Sequence, residues 1–166
     1  MPSGPEGIVI QLNISKGGVP KRPIAHADVT RNGIVGDAWR HPQFHGGPGK
    51  AILLMTAEGI DHLVAQGFPV FYGGLGENIT TRGLDRRSLR VGQRYRAGDV
   101  LIELSQVRLP CSTLDVYGPG IQAATYDAMT QAGDPAAPCW GLSGFYASVI
   151  RAGTIRVGDA VSPVDP

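Results

Sequence analysis

The sequence predicts a mostly β protein with a closed, barrel-like core and a few short helices. Short apolar runs recur along the chain, several with the two-residue alternation that is typical of strands. They are separated by turns rich in glycine and proline, of which the 166 residues contain 24 and 13. Because many short strands with two small helices favour closure of a sheet on itself, we expect a barrel.

The N-terminal part of the chain is predicted to be strand and turn. Residues 7–15 (GIVIQLNIS) alternate between apolar and polar side chains, which predicts the first strand. The glycine-rich segment 16–21 then predicts a loop, and the Asn32-Gly33 pair predicts a tight turn.

The middle of the chain carries the clearest helix signal. Residues 50–55 (KAILLM) form an apolar run that predicts a short strand. Thr56 follows directly and is a favourable N-cap for a helix, which we expect to end at Gly67. Residues 73–77 (GGLGE) predict a glycine-rich loop that enters another short strand.

The C-terminal half repeats one local pattern. A run beginning at Arg94 and the segment 100–107 predict two strands joined by a turn at Gly98-Asp99. Residues 155–161 echo that pattern, so a second hairpin with a Gly-Asp turn is expected there. Between them, small and apolar residues predict one surface helix over residues 121–130.

Length and charge limit the classes of function. We expect residues 1–166 to form a single domain, since this length is enough to bury a core. The net charge of +1 and the charged fraction of 17% predict no general nucleic-acid or membrane-surface binding. The N-terminus lacks the basic and apolar segments of a signal peptide, so a cytoplasmic protein is expected. Cys111 and Cys139 are then expected to be thiols, with a disulfide between them left open.

Cys111 is the first candidate for chemistry. It follows the predicted strand 100–107, and Pro110 just before it prevents that strand from continuing. A thiol at a strand end is presented to solvent or to a ligand, and the neighbouring Arg108 would favour its thiolate form. The alternative interpretation is an inert, buried cysteine, because cysteine is among the most buried residue types.

Two loops supply further candidates. Residues 44–50 (FHGGPGK) place His45 and Lys50 at the two ends of a flexible segment, whose backbone N–H groups can approach an anion. A simple tight turn is the alternative there. Glu77 and Asn78 follow three glycines, where a carboxylate and an amide can hydrogen-bond a heterocyclic ligand. An Asx-type turn that leads into a strand is the alternative for Asn78.

Taken in order, the motifs of this sequence resemble those of the MOSC family, the domain shared with the C-terminal part of molybdenum cofactor sulfurases. An ordered series of motifs is far more specific than any one of them. The segments that carry the resemblance are GIVGD (33–37), HGGP (45–48), GLGENI (74–79), RVG (90–92) followed by GD (98–99), RLPC (108–111) and GTIRVGD (153–159).

The resemblance implies a β-barrel with a pocket for a pterin-bound molybdenum centre. Cys111 occupies the position of the family cysteine, which is a molybdenum ligand in some members and a carrier of reactive sulfur in others. The residues that would bind the cofactor are then Gly46, Gly47, Lys50, Glu77, Asn78 and Arg108, with the positive side chains of Lys50 and Arg108 suited to its terminal phosphate.

The function implied by the resemblance is the two-electron reduction of N-hydroxylated small molecules by a molybdenum-dependent oxidoreductase. His45 would be a proton donor, and an electron-donor protein would supply the electrons. Two alternatives stay open at this point. The chain could carry molybdenum cofactor or sulfane sulfur without turnover, or it could use Cys111 as the thiol of a cofactor-free protein.

Overall fold

The computed structural model of the chain describes residues 6–38 and 47–165. The predicted mostly β fold is confirmed. The strands are β1 (Gly7–Ile14), β2 (Arg22–Ile24), β3 (His26–Thr30), β4 (Gly33–Ile34), β5 (Ile52–Thr56), β6 (Ile79–Arg82), β7 (Arg94–Ala97), β8 (Val100–Val107), β9 (Phe145–Arg151), β10 (Gly153–Arg156) and β11 (Ala160–Val164).

The predicted barrel is also confirmed. Within the described residues, seven strands pair in the order β1, β11, β7, β8, β9, β5 and β6, and β6 pairs with β1 again, which closes the sheet. β5 and β6 are parallel, whereas the other pairs in the ring are antiparallel. Strand β5 is buried at every residue, including Thr56 at its end.

The barrel interior is filled by the side chains of alternate residues along each strand. In β8, Val100, Ile102 and Leu104 are almost fully buried, whereas the intervening Leu101 and Glu103 are partly exposed. This alternation is the one predicted from the sequence of residues 100–107. It fixes which face of β8 is turned to the core and therefore where the strand delivers Arg108 and Cys111.

Strands β3, β4 and β10 form a second, smaller sheet. The hairpin predicted over residues 155–161 is wrong, because β10 pairs with β3 while β11 pairs with β7 and β1. The Gly158-Asp159 turn is present, but the strands that flank it belong to different sheets. The first copy of the pattern is a true hairpin, in which β7 and β8 are antiparallel neighbours.

The helices are short, and one predicted helix is divided. Helix α1 (Ala57–Ala65) begins as predicted, since the Thr56 hydroxyl accepts a hydrogen bond from the Gly59 N–H at 3.0 Å. The single helix predicted over residues 121–130 is wrong. The chain forms α2 (Ile121–Thr125) and α3 (Ala128–Gln131) instead, because Tyr126 is extended and the Asp127 carboxylate caps the second helix.

Short 3₁₀ segments occupy Pro48–Lys50, Arg86–Ser88 and Ser112–Tyr117. The last of these directly follows Cys111 and turns the chain away from the end of β8. None of the helices in the described part of the chain combines the length and the apolar character needed to cross a bilayer.

Candidate functional site

Cys111 lies just beyond the end of β8, at the start of the 3₁₀ segment Ser112–Tyr117. Its side chain is half-buried, and its thiol donates a hydrogen bond to the Thr113 hydroxyl at 3.2 Å. Cys139 is buried, and burial raises the pKa of its thiol. Both cysteines are free, so the disulfide left open by the sequence is not formed.

Arg108 directly follows β8 in the chain and precedes Cys111 by three residues. It is buried, with 5% of its surface exposed. Its main chain is fixed from two sides, since its N–H donates to the Gly144 carbonyl and its carbonyl accepts from the Ser143 hydroxyl. Its side-chain atoms Nε and Nη1 are buried without a hydrogen-bond partner among residues 6–38 and 47–165. A buried charged donor without a partner costs roughly several kcal/mol. The Arg108 guanidinium is therefore expected to receive a partner from a ligand or from water.

Tyr146 joins these two residues from strand β9. Burial raises the pKa of its hydroxyl, the charge of Arg108 lowers it, and the charge of a Cys111 thiolate raises it. The ammonium of Lys50 lies over the Tyr146 ring, 5.4 Å from its centroid. The structure therefore brings Cys111, Arg108 and Lys50 to one region, with Tyr146 between them.

Tyr146 was missed by reasoning from sequence. A tyrosine within an apolar strand is most simply read as a core residue, and nothing local to its segment indicates a ligand site. What places it here is the register of two strands, in which Tyr146 of β9 lies opposite Gln106 of β8. That register follows from the fold and not from any motif.

Glu77 is a buried carboxyl group in the loop before β6. Its side chain has no exposed surface, and its Oε1 atom has no hydrogen-bond partner in the part of the chain that the structure describes. Burial raises the pKa of Glu77 to about 7, and the weaker opposing effects come from the Gly73 amide, its own amide, the Thr80 hydroxyl and the charge of Arg108. The side chain of Glu77 can therefore carry a proton near neutral pH.

The loop that carries Glu77 passes close to Arg108. A Cβ atom added at Gly76 would lie 3.7 Å from Nη2 of Arg108, and one added at Gly74 would lie 3.1 Å from the Tyr117 hydroxyl. That hydroxyl donates a hydrogen bond to the Gly74 carbonyl. The glycines predicted to permit a close approach thus allow the backbone to pack against the Arg108 guanidinium and the Tyr117 ring.

Asn78 is held by protein groups on every side. Its carbonyl oxygen accepts from the Leu53 N–H at 3.0 Å, and its amide nitrogen donates to the Asn13 carbonyl at 3.2 Å and to Asp37 Oδ2 at 2.8 Å. Asp37 is in turn paired with Lys21 at 2.7 Å, and both of these side chains are buried. Asn78 therefore joins β1, β5 and the Lys21–Asp37 ion pair, and a direct contact between Asn78 and a pterin stays a prediction.

The buried polar network around Asn78 was only partly visible in the sequence. Asp37 belongs to the GIVGD segment, but its partner Lys21 lies in a segment predicted to be a loop. Asn13 is a buried residue of β1 whose amide donates to the Glu77 carbonyl at 3.1 Å and to the Thr80 hydroxyl at 3.3 Å. A polar residue in a predicted strand was the available signal for Asn13.

The other predicted site residues belong to the loop before β5. Gly47 precedes the 3₁₀ segment Pro48–Lys50, and its carbonyl accepts from the Lys50 N–H at 3.0 Å. The neighbouring Gly49 carbonyl accepts from the Ser105 hydroxyl at 2.5 Å, which ties this loop to β8. The predicted residues His45 and Gly46 lie outside the described residues.

Protein side chains alone do not form a metal centre in residues 6–38 and 47–165, where no group of three or more His, Cys, Asp and Glu side chains could hold an ion. A metal held by Cys111 would therefore take its other ligands from a cofactor or from outside the described residues. The chemistry available at this site is that of one thiol, two cations and a buried carboxyl that titrates near neutral pH.

A model of the MOSC domain matches residues 41–162. The chain belongs to the MOSC domain family. The match contains β5 to β10, Arg108, Cys111 and Glu77, so it covers five of the seven barrel strands completely, together with most of the site described above. Strand β1 lies outside the match, and β11 extends beyond it.

This MOSC chain is also similar to individual proteins. It is 33% identical to protein YiiM of Escherichia coli over 96 residues, and 31% identical to the uncharacterized protein YflK of Bacillus subtilis over 101 residues. These matches cover 54% and 58% of the chain, but only 42% and 45% of the two relatives. The matched segment thus spans less than half the length of either curated relative.

Solved structures of similar proteins have the same fold. YiiM from Geobacillus stearothermophilus superimposes with a TM-score of 0.72 at 27% identity, covering 96% of this chain and 75% of that one. The YUAD protein from Bacillus subtilis superimposes with a TM-score of 0.70 at 21% identity, covering 95% and 96% of the two chains. The second likeness shows the fold alone.

Proposed function

We propose that this MOSC protein binds the molybdenum cofactor and reduces N-hydroxylated small molecules, with Cys111 as the molybdenum ligand. The observation that carries the proposal is the pairing of a half-exposed thiol with a buried cation beside it. Arg108 forms no salt bridge with the described residues, and two of its nitrogen atoms make no hydrogen bond there. A site that presents a thiol and a guanidinium with unsatisfied donors suits a ligand that brings both a soft metal centre and an anionic group.

The residues of the site fit the parts of this cofactor. A thiolate is a soft ligand that suits a molybdenum centre with sulfur donors, which assigns Cys111 to the metal. Arg108 and Lys50 would hold the terminal phosphate, because charge-assisted hydrogen bonds to phosphate are the strong ones. The backbone of Gly46 and Gly47 would complete the phosphate contacts. Glu77 has an unpaired buried oxygen that a pterin N–H group could satisfy.

The reaction requires two electrons and two protons, and it converts an N–OH group into N–H and water. When bound, the molybdenum cofactor supplies the two-electron redox chemistry, and the protein supplies orientation and control of solvent access. The side chains of Cys111, Arg108 and Lys50 would orient the bound groups. Tyr146 would form a wall of the site, since it lies between these residues and is 7% exposed.

Protons have two sources in this proposal. Glu77 can hold a proton near pH 7 within the site, because burial raises its pKa to about 7. His45 remains the proton donor expected from the family resemblance, and its contact with substrate is part of the proposal. The electrons would come from a separate donor protein, for which a chemical reductant can substitute in an assay.

The test uses protein produced in a host that synthesises the cofactor. Loaded protein is supplied with a chemical reductant and an N-hydroxylated heterocyclic base, and the amine product is measured. The proposal predicts repeated turnover that depends on the reductant and is lost in Cys111→Ser. Full molybdenum loading without turnover would contradict the reductase and indicate a carrier of the cofactor instead.

A further inference from the structure

A surface cleft of about 450 Å³ lies beside the C-terminal half of β8. Its walls include the turn at Arg90, strand residues 105–107 and the segment that joins α2 to α3. The volume falls within the range of roughly 300–1,000 Å³ that is usual for small-molecule pockets. Cys111, Arg108, Lys50 and Glu77 do not line it. Gln106 of the cleft lies opposite Tyr146 in the sheet, so the cleft adjoins the candidate site without sharing those four residues.

Two aromatic residues give the cleft a partly apolar wall. The Trp140 ring is fixed, since its Nε1–H donates to the Leu89 carbonyl at 2.9 Å and its edge meets the Phe145 ring with centroids 5.9 Å apart. Tyr126 is half-buried at the break between α2 and α3. Its ring can stack on a flat ligand such as a heterocyclic base.

The cleft has a cation and no anion in its walls. Arg90 lines it, whereas no aspartate or glutamate does. The Arg90 guanidinium is held in place because Nη1 donates to the carbonyls of Arg87 and Leu89, at 2.7 and 3.0 Å. No carboxylate pairs with Arg90 among residues 6–38 and 47–165. A positioned guanidinium without a counter-ion favours an anionic ligand group.

Two glutamines in the cleft can hydrogen-bond the polar edge of a heterocyclic ligand. Gln106 and Gln131 both line the cleft, one from β8 and one from the end of α3. Each carboxamide offers both a donor and an acceptor, which is the combination that pairs with the edge of a heterocycle. Both residues are exposed, so their amides can turn toward a ligand without breaking the core.

We propose that this cleft is a ligand site for a planar aromatic compound that carries an anionic group, with Arg90 as the partner of the anion. Tyr126 and Trp140 contact the ring, and Gln106 and Gln131 bind its polar edge. Binding at this cleft does not require a molybdenum cofactor, so it can be tested independently of the function proposed above.

The test is a titration of the full chain with adenosine 5′-monophosphate, followed by two-dimensional NMR of the ¹⁵N-labelled protein. The predicted result is saturable shifts in the Trp140 indole N–H and in the backbone amides of Gln106 and Gln131. Adenosine, which lacks the anion, and ribose 5-phosphate, which lacks the ring, should each bind about tenfold more weakly or worse. Shifts confined to Lys50 and Cys111 would place the nucleotide at the other site and overturn the proposal.

Two exposed arginines provide matched variants. Arg90→Gln should weaken binding of the nucleotide about tenfold or more, because it removes a charge-assisted contact. Arg87→Gln changes a neighbouring exposed arginine that does not line this cleft, so it should leave the affinity unchanged. Equal effects of the two variants, or no binding by the unmodified chain, would overturn the proposal.

Discussion

The Asp37 carboxylate accepts a hydrogen bond from the Asn78 side-chain amide at 2.8 Å while its other oxygen is paired with Lys21 at 2.7 Å. Asn78 directly follows Glu77, and its remaining polar atoms bond Leu53 and Asn13. The buried ion pair therefore anchors the loop that delivers Glu77 to the candidate site. Asp37, which is not proposed to contact a ligand, thus positions Glu77, which is.

Substitution of Asp37 is predicted to be strongly destabilising. Asp37→Asn keeps an oxygen for the Ser15 N–H but leaves the buried Lys21 ammonium without its counter-ion. Breaking a buried pair in this way costs about 3–5 kcal/mol. Urea denaturation measures the loss in the free energy of unfolding.

The control for this prediction is the surface pair formed by Arg94 and Glu103 at 2.9 Å. About a third of each side chain is exposed, so Glu103→Gln should cost less than about 1 kcal/mol. If Asp37→Asn cost no more than Glu103→Gln, the anchoring role of the ion pair would be wrong.

Glu77 is predicted to make stability depend on pH. The carboxyl titrates at about 7 in the folded protein and at 4.5 when exposed, so between these values the native state binds more protons than the unfolded state. The free energy of unfolding should therefore fall as the pH rises from about 5 to about 7, by on the order of 3 kcal/mol, and level off above that.

The variant Glu77→Gln isolates this effect, because the amide stays neutral at every pH. Unfolding by urea at pH 5 and at pH 8 should show that wild type loses more stability over this interval than Glu77→Gln does. Glu103→Gln, at a partly exposed site, should keep the pH dependence of wild type. The same pH dependence in wild type and Glu77→Gln would show that Glu77 ionises as an ordinary glutamate.

Gly73 is predicted to tolerate no side chain. An added Cβ would lie 2.5 Å from the Lys21 carbonyl oxygen, and the residue has a φ of +91°. Gly73→Ala should cost about 1–2 kcal/mol for the left-handed conformation, and the clash should add about 1–3 kcal/mol. Gly92→Ala has a similar φ of +94° with no atom within 4 Å, so it should show the first cost alone. Equal unfolding midpoints would indicate that the contact with Lys21 relaxes freely.

Local signals in the sequence predicted the elements that present the site. The alternation of residues 100–107 and the position of Pro110 gave the extent of β8, and Thr56 gave the start of α1. Each of these features acts over a few residues, so it can be read without knowledge of the fold. The placement of Cys111 just past a strand end follows from the same local pattern.

Contacts between distant segments could not be read in this way. Tyr146 reaches Arg108 and Cys111 only through the pairing of β8 with β9, and Lys21 meets Asp37 through the path of β2 to β4. The break at Tyr126 had a local signal, since Asp127 is a favourable N-cap residue and its carboxylate accepts a hydrogen bond from the Thr130 N–H. The Asp127 cap starts a second helix, so residues 121–131 form two short helices in place of one.

The two cysteines are predicted to differ in reactivity. Cys111 is half-exposed, whereas Cys139 is buried and has a raised thiol pKa. Brief treatment with iodoacetamide should label Cys111 first, as detected by peptide mass spectrometry, and bound cofactor should protect it. Preferential labelling of Cys139 would contradict the exposure of Cys111 that the proposed metal ligand requires.

Cofactor loading is predicted to depend on the two cations of the site. Lys50→Ala and Arg108→Ala should each lower the pterin content of purified protein, since each removes a positive charge assigned to the phosphate. Lys16→Ala changes a lysine in the loop before β2, outside the residues assigned to the cofactor, and should load as wild type does. Because Arg108 is buried, Arg108→Lys tests the same assignment with the charge retained. Equal loading in all variants would show that the phosphate assignment is wrong.

The molybdenum content of wild type and Cys111→Ser is a direct test of whether Cys111 is the molybdenum ligand. Both proteins are purified from a host that synthesises the cofactor, and metal and pterin are measured on the same samples. We predict stoichiometric molybdenum in wild type and a large loss of the metal in Cys111→Ser. Wild-type protein without molybdenum, or equal molybdenum in the two proteins, would contradict the assignment of Cys111 as the ligand.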